Sequence, residues 1–319
     1  MSLTNHSPKS ESLRNKINVT AVFVTMNRSA IAVTCLKKLF KQTRPPERVI
    51  VFNNASTDNT LAALTSFQQG HPEFLTILDS PDNLGNAGGM ERLMDRAFHE
   101  GADAVWILDD DSWPEIDALS ELLQGELAAD SVRSSRVIDP TTGYLSWPMQ
   151  VTRGRSWGLL EADDPLPEGD CFRIRRSWLG ALIPKSVYNA VGPINGKLFL
   201  RGEDEDYPRR IEKAGYQVFL LPKSVLHHPP AGRLHRWSAL GQEIVLESGL
   251  SGDKLYYRLR NAWWIEKQNS GTLRAFFDAL LYGAALVKWE GFSGKWTGIW
   301  AEAMKDMLSD RLGKRSDPK

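Results

Sequence analysis

Short apolar runs alternate with amphipathic segments over the first third of this 319-residue chain. The predicted strands are 19–25, 48–52, 74–78 and 104–108. The segments between them repeat apolar side chains at helical spacing, which predicts helices from Ser29, from Thr57 and, after a glycine-rich turn, from about Met90. Strands joined by such helices form a parallel sheet with right-handed crossovers. The fold class is therefore α/β, with a mostly parallel central sheet and flanking helices.

After residue 108 the regular alternation stops. Residues 139–178 are rich in Gly, Pro, Trp and charged side chains, so we expect an irregular insert that lines or covers a site. Further elements are predicted as short strands at 180–184, 198–201 and 217–221 and as helices at 186–191 and 203–214. From about residue 253 onward the pattern predicts two or three helices that carry several tryptophans.

The charge balance, the cysteine count and the apolar pattern each argue against one class of protein. The 39 Lys and Arg residues equal the 39 Asp and Glu residues, which disfavours a nucleic-acid-binding protein. Cys35 and Cys171 show no CxxC spacing, which excludes a disulfide scaffold and favours a reducing compartment. The first twenty residues lack an apolar signal segment, and the longest apolar stretch, 279–287, is shorter than the ~20 residues of a bilayer span. We expect a cytoplasmic protein.

Polar residues directly follow each predicted strand of the N-terminal sheet. They are Asn27-Arg28, Asn53-Asn54, Asp79 to Asn83 and Asp109 to Asp111. Ligands of parallel α/β sheets bind outside the carboxyl ends of the strands. We therefore expect these side chains to converge on one crevice.

Asp109, Asp110 and Asp111 form the most specific of these motifs. Adjacent carboxylates repel one another unless a cation or a capping role compensates for them. In an extended chain Asp109 and Asp111 project to the same side. Paired hard oxygens of this kind suit Mg²⁺ or Mn²⁺ together with substrate phosphates. The alternative is an acidic cap for the helix after Pro114, and the position of the motif at the end of a buried strand favours the metal.

Three further motifs each have a structural and a functional interpretation. The segment 85–89 lacks the spacing of a P-loop or a dinucleotide-binding loop, yet it offers backbone N–H groups at a helix start. The acidic run 203–206 either provides a base with a raised pKa or complements the dipole of the helix that it opens. His227 and His228 either supply a metal-binding nitrogen or are surface features.

In combination these motifs resemble a known family. The segments NNASTDNT, NLGNAGG, WILDDDSWP and RGEDEDYPRRIEKAGY, in that order and spacing, are similar to those of inverting family 2 glycosyltransferases with the GT-A fold. The similarity is greatest to bacterial galactofuranosyl- and rhamnosyltransferases and covers residues 19–228. It implies a GT-A catalytic domain (19–230) with a nucleotide-binding half (19–115) and an acceptor half (116–230). The polar residues before it predict a flexible N-terminal arm (1–18), and the pattern after it predicts a helical C-terminal region (231–319).

The resemblance also implies a role for each motif residue. Asp204 matches the catalytic base, while Asp109, Asp111 and His228 match the ligands of a divalent cation, Mn²⁺ or Mg²⁺. The residues that match donor-binding positions are Thr25, Arg28, Asn53, Asn83, Gly85, Gly88, Gly89 and Asp110. The residues expected at the acceptor pocket are Trp178, Gly180, Glu203 and Tyr207. Asn53 stands where the family usually carries an aspartate that recognises a uracil-type base, so the base preference stays open.

The activity that this resemblance implies is transfer of galactofuranose or rhamnose from a UDP- or dTDP-linked donor. The expected acceptor is a glycan or a polyprenyl-linked glycan in cell-envelope polysaccharide synthesis. The metal would stabilise the leaving diphosphate, and Asp204 would take the proton of the acceptor hydroxyl.

Other interpretations stay open beside this one. A sugar-phosphate nucleotidyltransferase is disfavoured, because TMNRS follows the first strand in place of a basic, glycine-rich loop. A non-catalytic module that binds a sugar nucleotide or a glycan is the third hypothesis. The tryptophan-rich C-terminal helices, with Lys288, Lys295 and Lys305, either pack on the catalytic domain or make a peripheral contact with the inner face of the membrane. A homo-oligomer is also open.

Overall fold

The structure, a computed structural model, describes residues 17–315 apart from 125–127, 129, 155, 231, 233, 240, 241 and 251. The arm expected at 1–18 therefore lies almost entirely outside the described residues. The N-terminal elements are strands β1 (Val19–Thr25), β2 (Arg48–Asn54), β3 (Leu75–Ser80) and β4 (Ala104–Ile107) and helices α1 (Ser29–Phe40), α2 (Thr60–Gly70) and α3 (Gly85–His99). Their alternation confirms the predicted α/β pattern, and the bounds of β1 agree to the residue.

The four strands pair in the order β3-β2-β1-β4, and every pair is parallel. Side chains alternate between the two faces of a strand. Val22 of β1 accordingly packs in the core that contains Met90 of α3, whereas Phe23 packs in the core that contains Leu36 of α1 and Leu64 of α2. Burial on both faces explains why these strands read as continuous apolar runs. All four strands end at one edge of the sheet.

The next part of the chain completes this sheet. Its elements are β5 (Trp113–Pro114), α4 (Ala118–Leu122), β6 (Val132–Ile138), β7 (Met149–Arg153), β8 (Ser156–Leu160), β9 (Phe172–Ile174), β10 (Ala181–Pro184), α5 (Lys185–Val191), a 3-10 turn (Gly196–Leu198), α6 (Glu203–Lys213) and β11 (Val218–His227). Strand β10 pairs antiparallel with β4 and with β6, and β11 pairs parallel with β6. Because of this, β6 and β11 run in the same direction as β4.

Two segments of this part differ from prediction. Strands β7, β8 and β9 form an antiparallel flank beside β11, so the expectation of an irregular insert at 139–178 is wrong for these segments. They are short and partly exposed, and their sequences lack an apolar run. The strand predicted at 198–201 is also wrong, because Phe199 and Arg201 adopt left-handed backbone conformations with φ of 67° and 63°.

Two helices begin at residues other than the predicted ones, each for a local reason. Helix α2 begins at Thr60 rather than at Thr57, because the N–H of Thr57 donates to Oδ1 of Asn27 and that of Thr60 donates to the carboxylate of Asp58. Helix α3 begins at Gly85, so the glycine-rich segment is its first turn and does not precede it.

The C-terminal region consists of a hairpin and three helices within the described residues. These elements are β12 (Leu234–Ala239), β13 (Gln242–Glu247), α7 (Gly252–Ser270), α8 (Thr272–Glu290) and α9 (Gly294–Leu308). The helices agree with the prediction, whereas the hairpin was not expected. Tyr256, Trp263, Ala279 and Met307 are among the residues that form its own apolar core. No helix in the described part of the chain is both long enough and apolar enough to cross a bilayer.

Candidate active site

Residues from distant parts of the chain meet at the carboxyl edge of the sheet. Asp109 follows β4 and His228 follows β11, while Trp178 comes just before β10. Because β10 runs in the opposite direction, its start lies at the edge where β4 and β11 end. A cleft of about 610 Å³ opens there, and its walls include Asp109, Trp178, His228, Glu203 and Asp204. Of the residues expected to converge from the strand ends, Asp109 lines this cleft, and the others lie outside its described lining.

Asp109, Asp111 and His228 each present one potential ligand atom, and these atoms lie within 4.8 Å of one another. Nε2 of His228 is 3.4 Å from Oδ1 of Asp111 and 3.9 Å from Oδ2 of Asp109. Nδ1 of His228 lies 2.6 Å from the carbonyl oxygen of Pro229, so this nitrogen carries a proton and Nε2 faces the carboxylates. Two carboxylate oxygens and one imidazole nitrogen suit Mn²⁺ and related divalent ions. His227 points elsewhere, with Nε2 3.1 Å from the carboxylate of Glu115.

The charges in this cluster depend on one another. A hydrogen bond with His228 lowers the pKa of Asp111 to about 2, with help from Arg28 and against the effect of burial. Burial raises the pKa of Asp109 to about 6, although His228 acts in the opposite direction. Burial alone would lower the pKa of His228, but its contacts with Asp111 and Asp109 raise it. The carboxylates thus favour the protonated form of His228, and a bound divalent ion would supply positive charge in its place.

Asp110 faces the protein rather than the cleft, and its side chain is buried. Its Oδ2 accepts the hydroxyl of Thr25 at 2.8 Å, and its Oδ1 accepts Nη1 of Arg28 at 2.6 Å. Nη2 of Arg28 donates to Asp111 at 2.9 Å. These contacts fix the acidic turn against the end of β1. The Arg28 side chain is 42% exposed, so it is the member of this network most open to a ligand.

Amide side chains connect the ends of β2 and β3. Asn53 is buried, and its Nδ2 donates to the carboxylate of Asp79 at 2.7 Å. A carboxylate only accepts, so this contact fixes the orientation of the amide. Oδ1 of Asn53 has no hydrogen-bond partner among the described residues. Oδ1 of Asn83 accepts from Nδ2 of Asn54 at 3.1 Å and from the N–H of Gly85 at 2.8 Å.

The glycines at the start of α3 lie very close to other segments. Gly85 has a φ of 72°, and a Cβ atom there would lie 1.9 Å from the carbonyl oxygen of Phe199. Gly88 is also confined, and a Cβ atom on Gly89 would lie 2.7 Å from Val24 of β1. The absence of side chains therefore lets α3 approach both β1 and the segment that leads into α6.

Glu203 and Asp204 occupy the first turn of α6 at the cleft wall. Oε1 of Glu203 accepts from Nδ2 of Asn86 at 2.7 Å, and Oε2 has no partner among the described residues. Burial, and then the charge of Asp204, raise the pKa of Glu203 to about 8. Oδ1 of Asp204 accepts the backbone N–H of Gly202 at 3.0 Å. Asp204 is open to the cleft, yet the surrounding protein, and then Glu205, raise its pKa.

The residues predicted at the acceptor pocket separate into two groups. Trp178 and Glu203 line the cleft. Tyr207 is fully buried behind it and contacts Trp178 edge-on, with ring centroids 6.2 Å apart. The N–H of Gly180 donates to the carbonyl oxygen of Ile107 at 2.9 Å, which joins β10 to β4. Gly180 and Tyr207 are thus not brought to the cleft surface and support it from behind.

Comparison with known proteins places the chain in a family. Residues 20–177 match the family described as Glycosyl transferase family 2. Galactofuranosyltransferase GlfT1 of Mycolicibacterium smegmatis is 31% identical over 260 residues, which cover 78% of this chain and 83% of that protein. GlfT1 of Mycobacterium tuberculosis is 35% identical over 223 residues, which cover 66% of this chain and 70% of that protein. The chain belongs to glycosyltransferase family 2.

The solved structure of GalNAc-T7 with UDP, GalNAc and Mn²⁺ shares the fold of this glycosyltransferase. The two superpose with a TM-score of 0.56 at 12% identity, over 93% of this chain and 56% of that one. This chain therefore spans little more than half of the length of that structure. The family membership and the GT-A fold implied by the four motifs are confirmed, and the chain is a nucleotide-sugar-dependent glycosyltransferase similar to galactofuranosyltransferases.

The glycosyltransferase cleft also contains residues that sequence reasoning did not single out. Among them are Asn86, Trp147, Arg176 and Arg201. The ring of Trp147 packs edge-on to His228, with centroids 5.7 Å apart. Asn86 and Arg201 lie inside two of the recognised motifs, so closer reading of NLGNAGG and RGEDEDYPRR would have found them. Trp147 belongs to the tryptophan-rich segment expected to line a site, but no pattern distinguished it from its neighbours.

Proposed function

We propose that this glycosyltransferase is a metal-dependent, inverting galactofuranosyltransferase. It transfers the sugar from a UDP-linked donor to a hydroxyl group of a polyprenyl-linked glycan acceptor in the cell envelope. One observation carries the proposal: Asp109 and His228 of the three-ligand cluster share a single cleft with the carboxylate of Asp204. The identity to mycobacterial galactofuranosyltransferases supports the choice of sugar.

Asp109, Asp111 and His228 would hold Mn²⁺ or Mg²⁺. When bound, the cation supplies a Lewis acid that offsets the charge developing on the departing nucleoside diphosphate. Arg28 holds Asp111 at 2.9 Å and has exposed surface from which it can contact the diphosphate. Thr25 and Asp110 keep the acidic turn in place. The amides of Asn53 and Asn83 lie at the ends of neighbouring strands, where the base and ribose of the donor would bind.

Asp204 acts as the general base. Desolvation by the surrounding protein, and then the charge of Glu205, raise its pKa above the usual value, which improves proton abstraction. The acceptor oxygen attacks the anomeric carbon from the face opposite the diphosphate and gives its proton to Asp204. The bond between that carbon and the diphosphate oxygen breaks, and its electron pair leaves with the diphosphate. A single displacement of this kind inverts the anomeric configuration.

Glu203 and Trp178 bind the acceptor in this proposal. Oε2 of Glu203 is buried and without a partner among the described residues, so an acceptor hydroxyl can satisfy it. The Trp178 ring offers an apolar wall, and Tyr207 packs behind it. A few polar groups set among aromatic walls are typical of small-molecule sites.

An exposed apolar stripe on α8 supports a lipid-linked acceptor. Its members are Leu273, Phe276, Leu280, Ala284 and Val287, spaced by three or four residues on the exposed side of the helix. Leu273 is 84% exposed, and Phe292, just after α8, is 82% exposed. Large apolar side chains left in water in a continuous row are typical of interaction surfaces.

The charges around this stripe favour an anionic lipid surface as its partner. The exposed cations of α8 and α9 are Arg274, Lys288, Lys295 and Lys305. Among the acidic residues of the same helices, Asp306 is buried, Asp278 pairs with Arg274, Glu302 pairs with Arg315, and Glu290 is exposed. Apolar contact together with the exposed lysines promotes binding at the lipid interface.

A donor screen with Mn²⁺ tests the transfer reaction. Release of nucleoside diphosphate from UDP-galactofuranose, dTDP-rhamnose, UDP-glucose and UDP-galactose is measured with a synthetic polyprenyl-linked glycan, and NMR of the product gives the anomeric configuration. We expect UDP-galactofuranose to be preferred and the configuration to be inverted. Retention of configuration, or binding of every donor without transfer, would overturn the proposal.

Asp204→Asn tests the base. Donor binding should stay near the wild-type level, and transfer should fall by about 100- to 10,000-fold. Asp206→Asn is the matched control, because Asp206 lies in the same turn of α6 but pairs with Arg210 outside the cleft lining. Undiminished transfer by Asp204→Asn would reject Asp204 as the base.

A further inference from the structure

Helix α7 holds the backbone that leads into α6. Asn261 of α7 is almost completely buried. Its Nδ2 donates to the carbonyl oxygens of Leu198, Leu200 and Arg201 at 3.0, 3.1 and 2.6 Å. Its Oδ1 accepts from Nε of Arg260 at 2.8 Å, and because a guanidinium only donates, this contact fixes the orientation of the amide. One side chain of the C-terminal region thus binds three carbonyls within four residues of the catalytic domain.

Arg260 fixes the position of Asn261 and of the backbone that Asn261 binds. Its Nη2 donates to the carbonyl oxygen of Leu198 at 2.9 Å, and its Nη1 donates to that of Gly313 at 2.7 Å. The guanidinium carbon lies 5.3 Å from the ring centroid of Tyr256 and 5.0 Å from that of Tyr257. A buried guanidinium is stable only when its donors are satisfied. Any rotation of Arg260 or Asn261 would leave buried groups without partners.

The clamped backbone has a conformation that it would not adopt by itself. Phe199 and Arg201 have φ values of 67° and 63°, in the left-handed region that residues with a Cβ atom rarely occupy. Gly202 has a φ of 96°, and a Cβ atom there would lie 2.9 Å from Cβ of Asn261. Strained backbone of this kind persists only where surrounding contacts hold it, and it is concentrated at functional sites.

The strained segment in turn sets the position of Asp204. The N–H of Gly202 donates to the Asp204 carboxylate at 3.0 Å. The carbonyl oxygen of Gly202 accepts the N–H groups of Glu205 and Asp206 at 3.1 and 2.7 Å, which are the first hydrogen bonds of α6. A change in the direction of the Gly202 peptide would therefore move both the start of the helix and the carboxylate.

We propose that Asn261, supported by Arg260, is a positioning residue for the transfer reaction. It holds residues 198–202 in the conformation that directs the Asp204 carboxylate into the cleft. Asn261 acts through Gly202 and is not itself a catalytic residue. The inference rests on the proposed role of Asp204 as the base, and it gives the C-terminal helices a function in catalysis beyond packing.

Asn261→Ala tests this role through separate measurements of turnover and binding. We expect kcat with UDP-galactofuranose and acceptor to fall by at least about tenfold, because a small displacement of the base impairs proton transfer. The Kd for UDP with Mn²⁺ should change much less than kcat, because Asn261 holds the carbonyls of Leu198, Leu200 and Arg201, whereas the glycine-rich start of α3 contacts the carbonyl of Phe199. Asn269→Ala is the control, since Asn269 also lies on α7 but bonds only within its own helix in the described structure.

A purely structural role predicts a different result. The yield and the Tm of Asn261→Ala would then fall, while kcat per site able to bind UDP would equal that of the wild type. That outcome would overturn the inference. If Asn261→Ala does not fold, Asn261→Ser and Arg260→Lys are measured in the same way, and unchanged kcat in both would equally overturn it.

The two proposals fail separately. If Asp204→Asn transferred sugar at the wild-type rate, the role of Asp204 as the base would be rejected. The positioning role of Asn261 would then be rejected as well. Impaired Asp204→Asn together with unimpaired Asn261→Ala would leave the transferase proposal intact and reject only the role of α7.

Discussion

Thr25 donates its hydroxyl hydrogen to the carboxylate of Asp110 at 2.8 Å, although 85 residues separate them along the chain. The middle carboxylate of the acidic turn therefore faces β1, while Asp109 and Asp111 face His228. Residues 109–112 form a turn in which the N–H of Ser112 donates to the carbonyl oxygen of Asp109 at 3.1 Å, and this turn directs Asp110 away from the other two carboxylates. The turn thus contains one carboxylate that holds it in place and two that face the histidine.

Asp111→Asn should weaken Mn²⁺ binding much more than Asp110→Asn does. We expect the first change to raise the Kd for Mn²⁺ by at least about 100-fold, because it removes a proposed ligand, and the second by about tenfold or less, because it disturbs only the support. Calorimetric titration of Mn²⁺ in the presence of UDP measures both. Equal losses in the two variants would contradict the separation of roles.

Gly85→Ala should destabilise the protein and impair donor binding. A methyl group there meets the carbonyl oxygen of Phe199 at 1.9 Å, and the φ of 72° is unfavourable for alanine. We expect the free energy of unfolding to fall by about 2 kcal/mol or more. Urea denaturation measures it. Gly70→Ala is the control, because its site has no atom within 4 Å and no left-handed φ, and a similar loss there would refute the explanation.

Glu203 should make the protein less stable as the pH rises. Burial, and then the charge of Asp204, raise its pKa from 4.5 to about 8. Between these values the folded state keeps a proton that the unfolded state has lost, so the free energy of unfolding falls by up to about 1.4 kcal/mol per pH unit. In Glu203→Gln we expect a smaller loss of stability between pH 5 and pH 8.

Chemical denaturation of metal-free protein at these two pH values measures the effect. Glu73→Gln, at an exposed position, should behave like the wild type. An unchanged pH dependence in Glu203→Gln would show that other groups cause the loss.

Leu273→Glu should release the protein from lipid vesicles. This change places a charge in the exposed stripe of α8 and adds a negative charge opposite anionic headgroups. Sedimentation with phosphatidylglycerol vesicles should show binding by the wild type and a loss of at least about fivefold in the variant. Leu61→Glu on α2, another exposed leucine, is the control.

Two outcomes would contradict the membrane contact. One is indifference of the wild-type protein to these vesicles. The other is a concentration-dependent dimer that Leu273→Glu dissociates, which would assign the stripe to a second copy of the chain. Analytical ultracentrifugation without lipid distinguishes this case.

The N-terminal half of the fold was predictable because its strands are buried on both faces. β1 and β4 are continuous apolar runs with helices between them, and such runs have few other interpretations. β7 and β8, and the hairpin of β12 and β13, were missed or misread. These segments contain polar and exposed positions, and each pair forms a local antiparallel hairpin without a continuous apolar run to mark its strands.

The candidate site was predictable where local chemistry was unusual. The triple aspartate and the acidic run at 203–206 are recognisable in the sequence itself. The direction of the strands predicts that both lie at the same edge of the sheet. The choice of His228 over His227 came from the resemblance alone, and the contact of Nδ1 with Pro229 now gives it a physical reason. The left-handed Phe199 and Arg201 carry no sequence signal, because only tertiary contacts impose that conformation.

The hydrogen bonds from Asn261 to the carbonyls before α6 also have a consequence for protein engineering. A chimeric enzyme could join the sheet domain of one homologue to the C-terminal helices of another. In this chain such a junction would place Asn261 and Arg260 of α7 in one parent and the carbonyl groups of residues 198–201 that they bind in the other. A recombinant that inherits both segments from one parent should retain turnover, whereas a mixed one should bind its nucleotide yet react slowly.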